Sequence, residues 1–170
     1  MIAGKYRIVR PLGRGGMAEV FLARAEGAGG FSRQVVLKRL DAAIARDPDA
    51  VTLFLDEART ASRLHHQHIA QVFDFGHDDD GYFLAMEYLD GADARALVRA
   101  ATTGIAIPAA VAIVSAAALG LHHAHELAVI HRDVTGGNVF VTYDGAVKVI
   151  DFGIARAADR TTRTRDGLVR

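Results

Sequence analysis

His131-Arg132-Asp133-Val134-Thr135-Gly136-Gly137-Asn138 is the stretch on which the reading of this chain turns. It sets a carboxylate, Asp133, and a carboxamide, Asn138, at the two ends of a short run whose glycine pair suits a tight loop. On such a loop the two groups can share a site. Asp133 can orient a hydroxyl nucleophile and take its proton, and Asn138 can offer an oxygen to a hard cation. Two short strands follow, Val139 to Thr142 and Ala146 to Ile150, around the turn Tyr143-Asp144-Gly145. They lead into Asp151-Phe152-Gly153. A carboxylate at a strand end, followed by a flexible glycine, suits a Mg²⁺ ion that is itself bound to substrate phosphates.

Upstream, the first part of the chain has the patterning of strands. Tyr6 to Leu12 and Glu19 to Ala25 flank a glycine-rich turn, and Gln34 to Leu40 forms a third strand. Asp49 to Leu64 has helical spacing, with Leu53, Phe54, Ala58, Ala61 and Leu64 on one face. Ile69 to Phe75 and Tyr82 to Glu87 are predicted as two further strands around the polar turn Gly76 to Gly81. After Asp90-Gly91 the pattern becomes helical, over Asp93 to Ala101 and Pro108 to Leu127. The last segment, Ala155 to Arg170, has no apolar period and is predicted as a loop.

Two constellations in the first part carry chemistry. In Leu12-Gly13-Arg14-Gly15-Gly16-Met17-Ala18-Glu19-Val20 the glycines let backbone N–H groups approach phosphate oxygens, although a glycine-rich hairpin can equally be a plain turn. Lys38 follows the apolar run Val35-Val36-Leu37, and lysine is scarce, occurring only there and at Lys5 and Lys148. A lysine on a buried strand needs a counter-charge, and Glu57, set among apolar residues of the following helix, can supply it. The bland alternative is a snorkelling lysine and a solvated glutamate.

Composition narrows the class. Half of the residues are apolar, enough for a real core, and the formal net charge is +0, which argues against nucleic acid or an anionic membrane as main partner. There is no cysteine, hence no disulfide framework or thiolate metal site. The start of the chain has no run of signal-peptide type, so a cytoplasmic location is expected. Ile105 to Leu121 is uncharged but shorter than the roughly 20 apolar residues a spanning helix needs, and is expected to be a buried helix rather than a membrane segment. The histidines cluster as His65-His66 with His68, and His122-His123 with His125; without cysteine they are not taken as a zinc site.

Taken in order, the glycine loop between strands one and two, the strand-three lysine, the helix glutamate and the two acidic loops flanking a hairpin resemble the Hanks-type protein kinases, bacterial eukaryotic-like serine/threonine kinases in particular. Val35-Val36-Leu37-Lys38 resembles the family's Val-Ala-Ile-Lys motif. The resemblance implies an α+β, bilobal fold: residues 1–88 a five-stranded antiparallel N-lobe with one helix, residues 89–170 a partial, mostly helical C-lobe. It implies ATP and Mg²⁺ as cofactors and a protein as substrate, and it leaves the oligomeric state open. Residues 12–20 would cover the phosphates, Lys38 would hold them and Glu57 would position Lys38. Asp133 would be the base, Asn138 and Asp151 the metal ligands. Met86-Glu87-Tyr88-Leu89 resembles the hinge, with adenine bonding to the backbone of Glu87 and Leu89 and Met86 as gatekeeper. Asp93 would lie near the ribose, Val20 and Val36 on one side of the base and Phe140 on the other. Arg132 would bind a phosphate placed on Thr161, Thr162 or Thr164.

Several positions depart from the family pattern. Ala18 stands where a third glycine is usual, Thr135 where serine/threonine kinases carry a lysine that touches the γ-phosphate, and Gly136 where a proline is usual. Losing the lysine should weaken transition-state charge stabilisation and blurs the choice between serine/threonine and tyrosine. The chain also lacks the later Ala-Pro-Glu motif and the helices beyond it, so the Ile107 to Leu127 helix is expected to expose apolar surface. The competing expectations are a nucleotide-binding module with little or no turnover and a small-molecule phosphotransferase of related fold.

Overall fold

The computed structural model describes residues 1–152. They form two compact units: Met1–Ser62 with Val72–Tyr88, and Arg63–Gln71 with residues 89–152.

The first unit is a five-stranded antiparallel sheet in the order β1-β2-β3-β5-β4. Its strands are β1 (Tyr6–Arg14), β2 (Ala18–Glu26), β3 (Ser32–Leu40), β4 (Val72–Asp78) and β5 (Gly81–Glu87), with one helix, α1 (Pro48–Ser62). The period-two alternation of a strand sorts its residues between two faces. Val35 and Leu37 join Tyr6, Ala23, Phe83 and Ala85 in one core, closed by Ile2. Leu40 joins Ala18, Val72, Leu84 and the α1 residues Phe54 and Ala58 in the other. The β4–β5 connection is tighter than the polar run Gly76 to Gly81 suggests. Pairing continues to Asp78↔Gly81 and leaves only Asp79 and Asp80 in the turn. Gly76 lets the Phe83 ring lie across it: a Cβ there would stand 2.5 Å from the ring. Arg39 ties down the end through Asp78 and Asp80, each at 3.3 Å.

The second unit holds a three-stranded sheet, β6-β7-β8. Its elements are β6 (Gly91–Asp93), α2 (Ala94–Ala100), α3 (Ile107–Glu126), β7 (Val139–Thr142) and β8 (Val147–Val149). β6 is a strand that sequence patterning does not announce. It exists because Gly91 allows the chain to lie against β7, where a Cβ would meet the Val141 carbonyl oxygen at 2.1 Å. The core gathers Leu64, Ile69, Ala117, Ala124, Val129, Val139, Val147, Val149 and Phe152.

Residues 63–71 correct the division at Tyr88 in one respect. Sequence reading puts them in the first lobe, with Ile69 opening a strand that runs to Phe75. Instead Ile69 forms a parallel bridge with Val149, the Ala70 N–H donates to Val149 O at 3.0 Å, and the Val149 N–H donates to His68 O at 2.8 Å. Burial of Leu64 and Ile69 against α3 and β8 holds this segment in the second unit, and β4 starts only at Val72.

α3 departs from the expectation of a buried helix. Its buried residues are Ala117, Gly120 and Ala124, a stripe of small side chains. Gly120 sits so close to the 63–71 segment that a Cβ would lie 2.7 Å from the His68 carbonyl oxygen. Ile107, Val111, Val114 and Leu119 are exposed, as expected for apolar surface left uncovered. By length and composition α3 is also, among the described residues, the one helix that could cross a membrane.

Candidate functional site

In the first unit the sheet register brings the expected nucleotide-facing residues onto one face. Val20 pairs with Lys38, Leu22 with Val36, Val36 with Met86 and Lys38 with Leu84, and cross-strand partners share a face. Lys38 is therefore on the α1 side, where Leu40 also packs. Its Nζ donates to Glu57 Oε1 at 2.7 Å, with side-chain exposures of 17% and 8%. A pair so far removed from water persists only with close, hydrogen-bonded geometry, so the snorkelling alternative does not hold. Glu87 pairs with Val35 at the end of β5, and Leu89 opens the second unit.

The glycine loop is the β1–β2 turn. Leu12, Gly13 and Arg14 end β1; Ala18, Glu19 and Val20 begin β2; Gly13 faces Val20 and Arg14 faces Glu19. The Gly15 N–H donates to Ala18 O at 2.8 Å, and the Asp41 N–H donates to Met17 O at 3.0 Å. Arg14 pairs with Asp41 and stands 3.8 Å from Glu19. The Ala43 backbone N–H, and then Arg14, hold the Asp41 carboxyl below the usual carboxylate range. Nothing lies within 4 Å of where a Cβ would stand on Gly13 or Gly16, so the loop is uncrowded at these two positions. Ala18, in the place of a third glycine, is buried and packs with Leu40 and Phe54.

In the second unit the 131–138 loop is organised around a buried histidine. His131 is 1% exposed. Its Nε2 donates to Ile150 O at 3.0 Å and its Nδ1 accepts the Asp133 N–H at 3.3 Å, a pattern that requires the Nε2-protonated tautomer. Its ring lies 4.7 Å from that of Phe152. Asn138 closes the loop: Nδ2 donates to Asp133 O at 2.9 Å and to Asp133 Oδ2 at 3.0 Å. The Ile150 N–H donates to Asn138 O at 3.0 Å. Arg132 and Asp151 both have positive φ, 64° and 52°. For non-glycine residues that conformation costs on the order of 1 kcal/mol or more, and it turns their side chains away from the regular course of the chain. Asp133, Asn138 and the backbone leading to Asp151 are thus drawn together by hydrogen bonds across the β7–β8 hairpin.

Asp93 and Phe140 are direct cross-strand partners on β6 and β7. The Asp93 carboxylate has a structural task as well: Oδ1 accepts the Ala96 N–H at 2.8 Å and caps α2. Thr161, Thr162 and Thr164, the expected phosphate-bearing partners of Arg132, lie outside the described residues.

The sequence matches the protein kinase domain family over residues 6–169. The chain belongs to that family. It is 43% identical to the tyrosine-protein kinase MasK of Myxococcus xanthus across 98% of its own length. It is 36% identical to the serine/threonine-protein kinase PrkC of Bacillus subtilis and 40% identical to PknB of Mycobacterium leprae, each across 99% of its length. It spans about a quarter of those proteins, at 28%, 25% and 27% of their lengths. The crystal structure of the Mycobacterium tuberculosis PknI kinase domain superposes with a TM-score of 0.75 at 37% identity, over 91% of this chain and 61% of that one. The fold is α+β, with the five-stranded antiparallel sheet and single helix of a kinase N-lobe.

Sequence reasoning gives no role to two residues that this kinase domain uses to shape its loop. His131 is the spacer that ties Asp133 to Ile150; its position directly before Arg132-Asp133 is the only local signal. Arg95, in the first turn of α2, lies against Gly136 and Gly137, a contact that no local pattern announces.

Proposed function

We propose that this kinase domain transfers the γ-phosphate of ATP to hydroxyl groups of proteins, serine and threonine before tyrosine. The observation that carries the reading is the Asp133–Asn138 pair. By donating both Nδ2 hydrogens to Asp133, Asn138 orients the carboxylate and leaves its own Oδ1 as a free-standing acceptor oxygen. The residues present fit Mg·ATP chemically. Asn138 Oδ1 and the Asp151 carboxylate are hard oxygen donors of the kind Mg²⁺ takes, and the glycine loop, uncrowded at Gly13 and Gly16, would offer backbone N–H groups to phosphate. Mg·ATP supplies the transferable phosphoryl group with part of its charge neutralised.

The chain's own residues supply positioning and charge. In the first unit, Lys38, held by Glu57, would bind the α- and β-phosphates. Val20, Val36 and Met86, on the same face of the sheet, would pack on the base, and the Glu87 and Leu89 backbone would bond to it. In the second unit, Asn138 and Asp151 would hold Mg²⁺, Phe140 would meet the base and Asp93 the ribose. Asp133 Oδ1 or Oδ2 would accept the proton of the substrate hydroxyl, with the carboxylate kept in place through Asn138.

Tyrosine is the second reading for the acceptor. It draws support from Thr135, which replaces the lysine usual in serine/threonine kinases, and from the name of the Myxococcus relative. The test is transfer of radiolabelled phosphate from Mg·ATP to the chain itself or to a generic basic protein, followed by phosphoamino-acid analysis. Label on serine and threonine, reduced by about 10²-fold or more in Asp133→Asn, is the expected outcome. Label on tyrosine alone would reassign the acceptor. A folded chain that binds ATP and transfers nothing would make it a nucleotide-binding module.

A further inference from the structure

α2 carries two arginines four positions apart, Arg95 and Arg99, which lie on one face of a helix. Both are exposed, and among the described residues neither has a carboxylate within ion-pair distance. α2 itself contains no acidic residue, and the carboxylate that precedes it, Asp93, is engaged in capping. In a chain of zero net charge this is a local cationic surface.

Its location gives it meaning. The Arg95 guanidinium lies over Gly137 of the 131–138 loop, and the start of the same residue lies against Gly136. Nη2 is 3.0 Å and Cζ 3.2 Å from where a Cβ would stand on Gly137, and the Arg95 backbone nitrogen is 3.3 Å from the equivalent point on Gly136. The guanidinium takes up space that any larger residue at 137 would claim. Gly137 directly precedes Asn138, whose amide orients Asp133, so the exposed Arg95 reaches the loop one residue from that pair. β6–β7 pairing at Asp93↔Phe140 and the Asp93 cap set the start of α2, so Arg95 is placed by rigid elements rather than by a mobile loop.

We propose that Arg95, supported by Arg99, is a specificity-determining residue that selects protein substrates with an acidic side chain close to the acceptor hydroxyl. The inference rests on the reading of Asp133 as the group that receives the acceptor's proton. A polypeptide that delivers a hydroxyl to Asp133 has neighbours only ~3.5 Å per residue away along an extended chain. A carboxylate a few residues from the acceptor therefore comes within reach of a cation on the loop's flank. Arginine's planar fork suits a carboxylate in two-point contact. Gly137 keeps the subsite cationic, because a glutamate at that position would itself pair with Arg95 and cancel it.

Peptides carrying one acceptor hydroxyl, with a single glutamate, glutamine or lysine scanned through the flanking positions, provide the test. Their binding to the chain is read by fluorescence anisotropy without nucleotide, at low and high salt, for the natural chain, Arg95→Ala and Arg95→Glu. The natural chain should favour the best glutamate peptide over its glutamine counterpart by roughly two- to five-fold, the range of an exposed charge pair. The preference should shrink at high salt. Arg95→Ala should bring the ratio close to one, and Arg95→Glu should turn it toward the lysine peptide. Equal binding of the three peptides by the natural chain, binding of none of them, or a preference that survives Arg95→Ala would overturn the proposal. Because the readout needs no turnover, absence of phosphate transfer would count against the proposed activity and leave the peptide preference to be judged separately.

Discussion

At the scale of single residues, the ion pair of Lys38 and Glu57 shows what a sequence can and cannot specify. Alternation along β3 put Lys38 on the side of α1, and Glu57 lies among the apolar residues of α1, so their meeting at 2.7 Å follows from two local periods. Glu57→Ala is expected to destabilise the domain by about 3 kcal/mol, the lower end for breaking a buried pair, because Lys38 keeps some exposure. The double variant Lys38→Met with Glu57→Leu should recover most of that in urea titrations, yet bind no nucleotide. A second network is titratable. Asp74 Oδ2 accepts from Lys5 Nζ at 2.9 Å and from the Tyr6 hydroxyl at 2.7 Å. Desolvation pushes the Asp74 carboxyl up, but the two hydrogen bonds outweigh it and leave it below the usual range. Desolvation, with the bond to Asp74, raises the Tyr6 phenol. A depressed carboxylate stabilises the fold above its unfolded pKa of about 4, and the contribution is lost as pH falls through the folded value. Asp74→Asn should therefore flatten the acid limb of a stability–pH profile below about pH 4 and change little near neutrality in that slope. An unchanged acid limb would show that Asp74 is not the group responsible.

At the scale of elements, contacts between backbones matter more than propensity. α3 reaches the 63–71 segment only because Gly120 has no side chain; a Cβ there would stand 2.7 Å from the His68 carbonyl oxygen. Gly120→Ala gains helix propensity, yet the clash is with backbone and cannot be relieved by a rotamer change. We expect a net loss of about 1–3 kcal/mol, typical of overpacking, measured by chemical denaturation, whereas alanine at the exposed Leu119 should cost far less. The same segment explains the misplaced strand. Ile69 to Phe75 has the pattern of one strand, but Ile69 pairs with Val149 of β8 and Val72 with Met86 of β5. Alternation tells which residues are buried in a strand; it does not tell which strand they pair with. β6 escaped notice for a related reason, since Gly91 has the composition of a turn and becomes a strand only through its closeness to β7.

At the scale of the whole molecule, each unit has its own core, and the second leaves apolar surface in contact with water. Ile107, Val111, Val114 and Leu119 on α3 are exposed by 78%, 58%, 67% and 53%. An uncovered apolar face of this kind binds hydrophobic probes and promotes association. Replacing both Val111 and Val114 with glutamate should lower binding of a fluorescent hydrophobic dye and raise solubility while shifting Tm little, because neither side chain contributes to the core. A large fall in Tm would mean that this face is packed in solution.

Local pattern was enough for the class of the molecule, for the order of its longer elements and for the meeting of Lys38 with Glu57 and of Asp133 with Asn138. These depend on local periods and on short runs such as His131 to Asn138, which state their geometry within a few residues. Long-range packing sets the pairing of Ile69 with Val149, the strand at Gly91, the approach of α3 at Gly120 and the placing of Arg95 against Gly136 and Gly137. Each of these joins residues far apart in the chain, or turns on the absence of a side chain, and neither leaves a mark in local pattern.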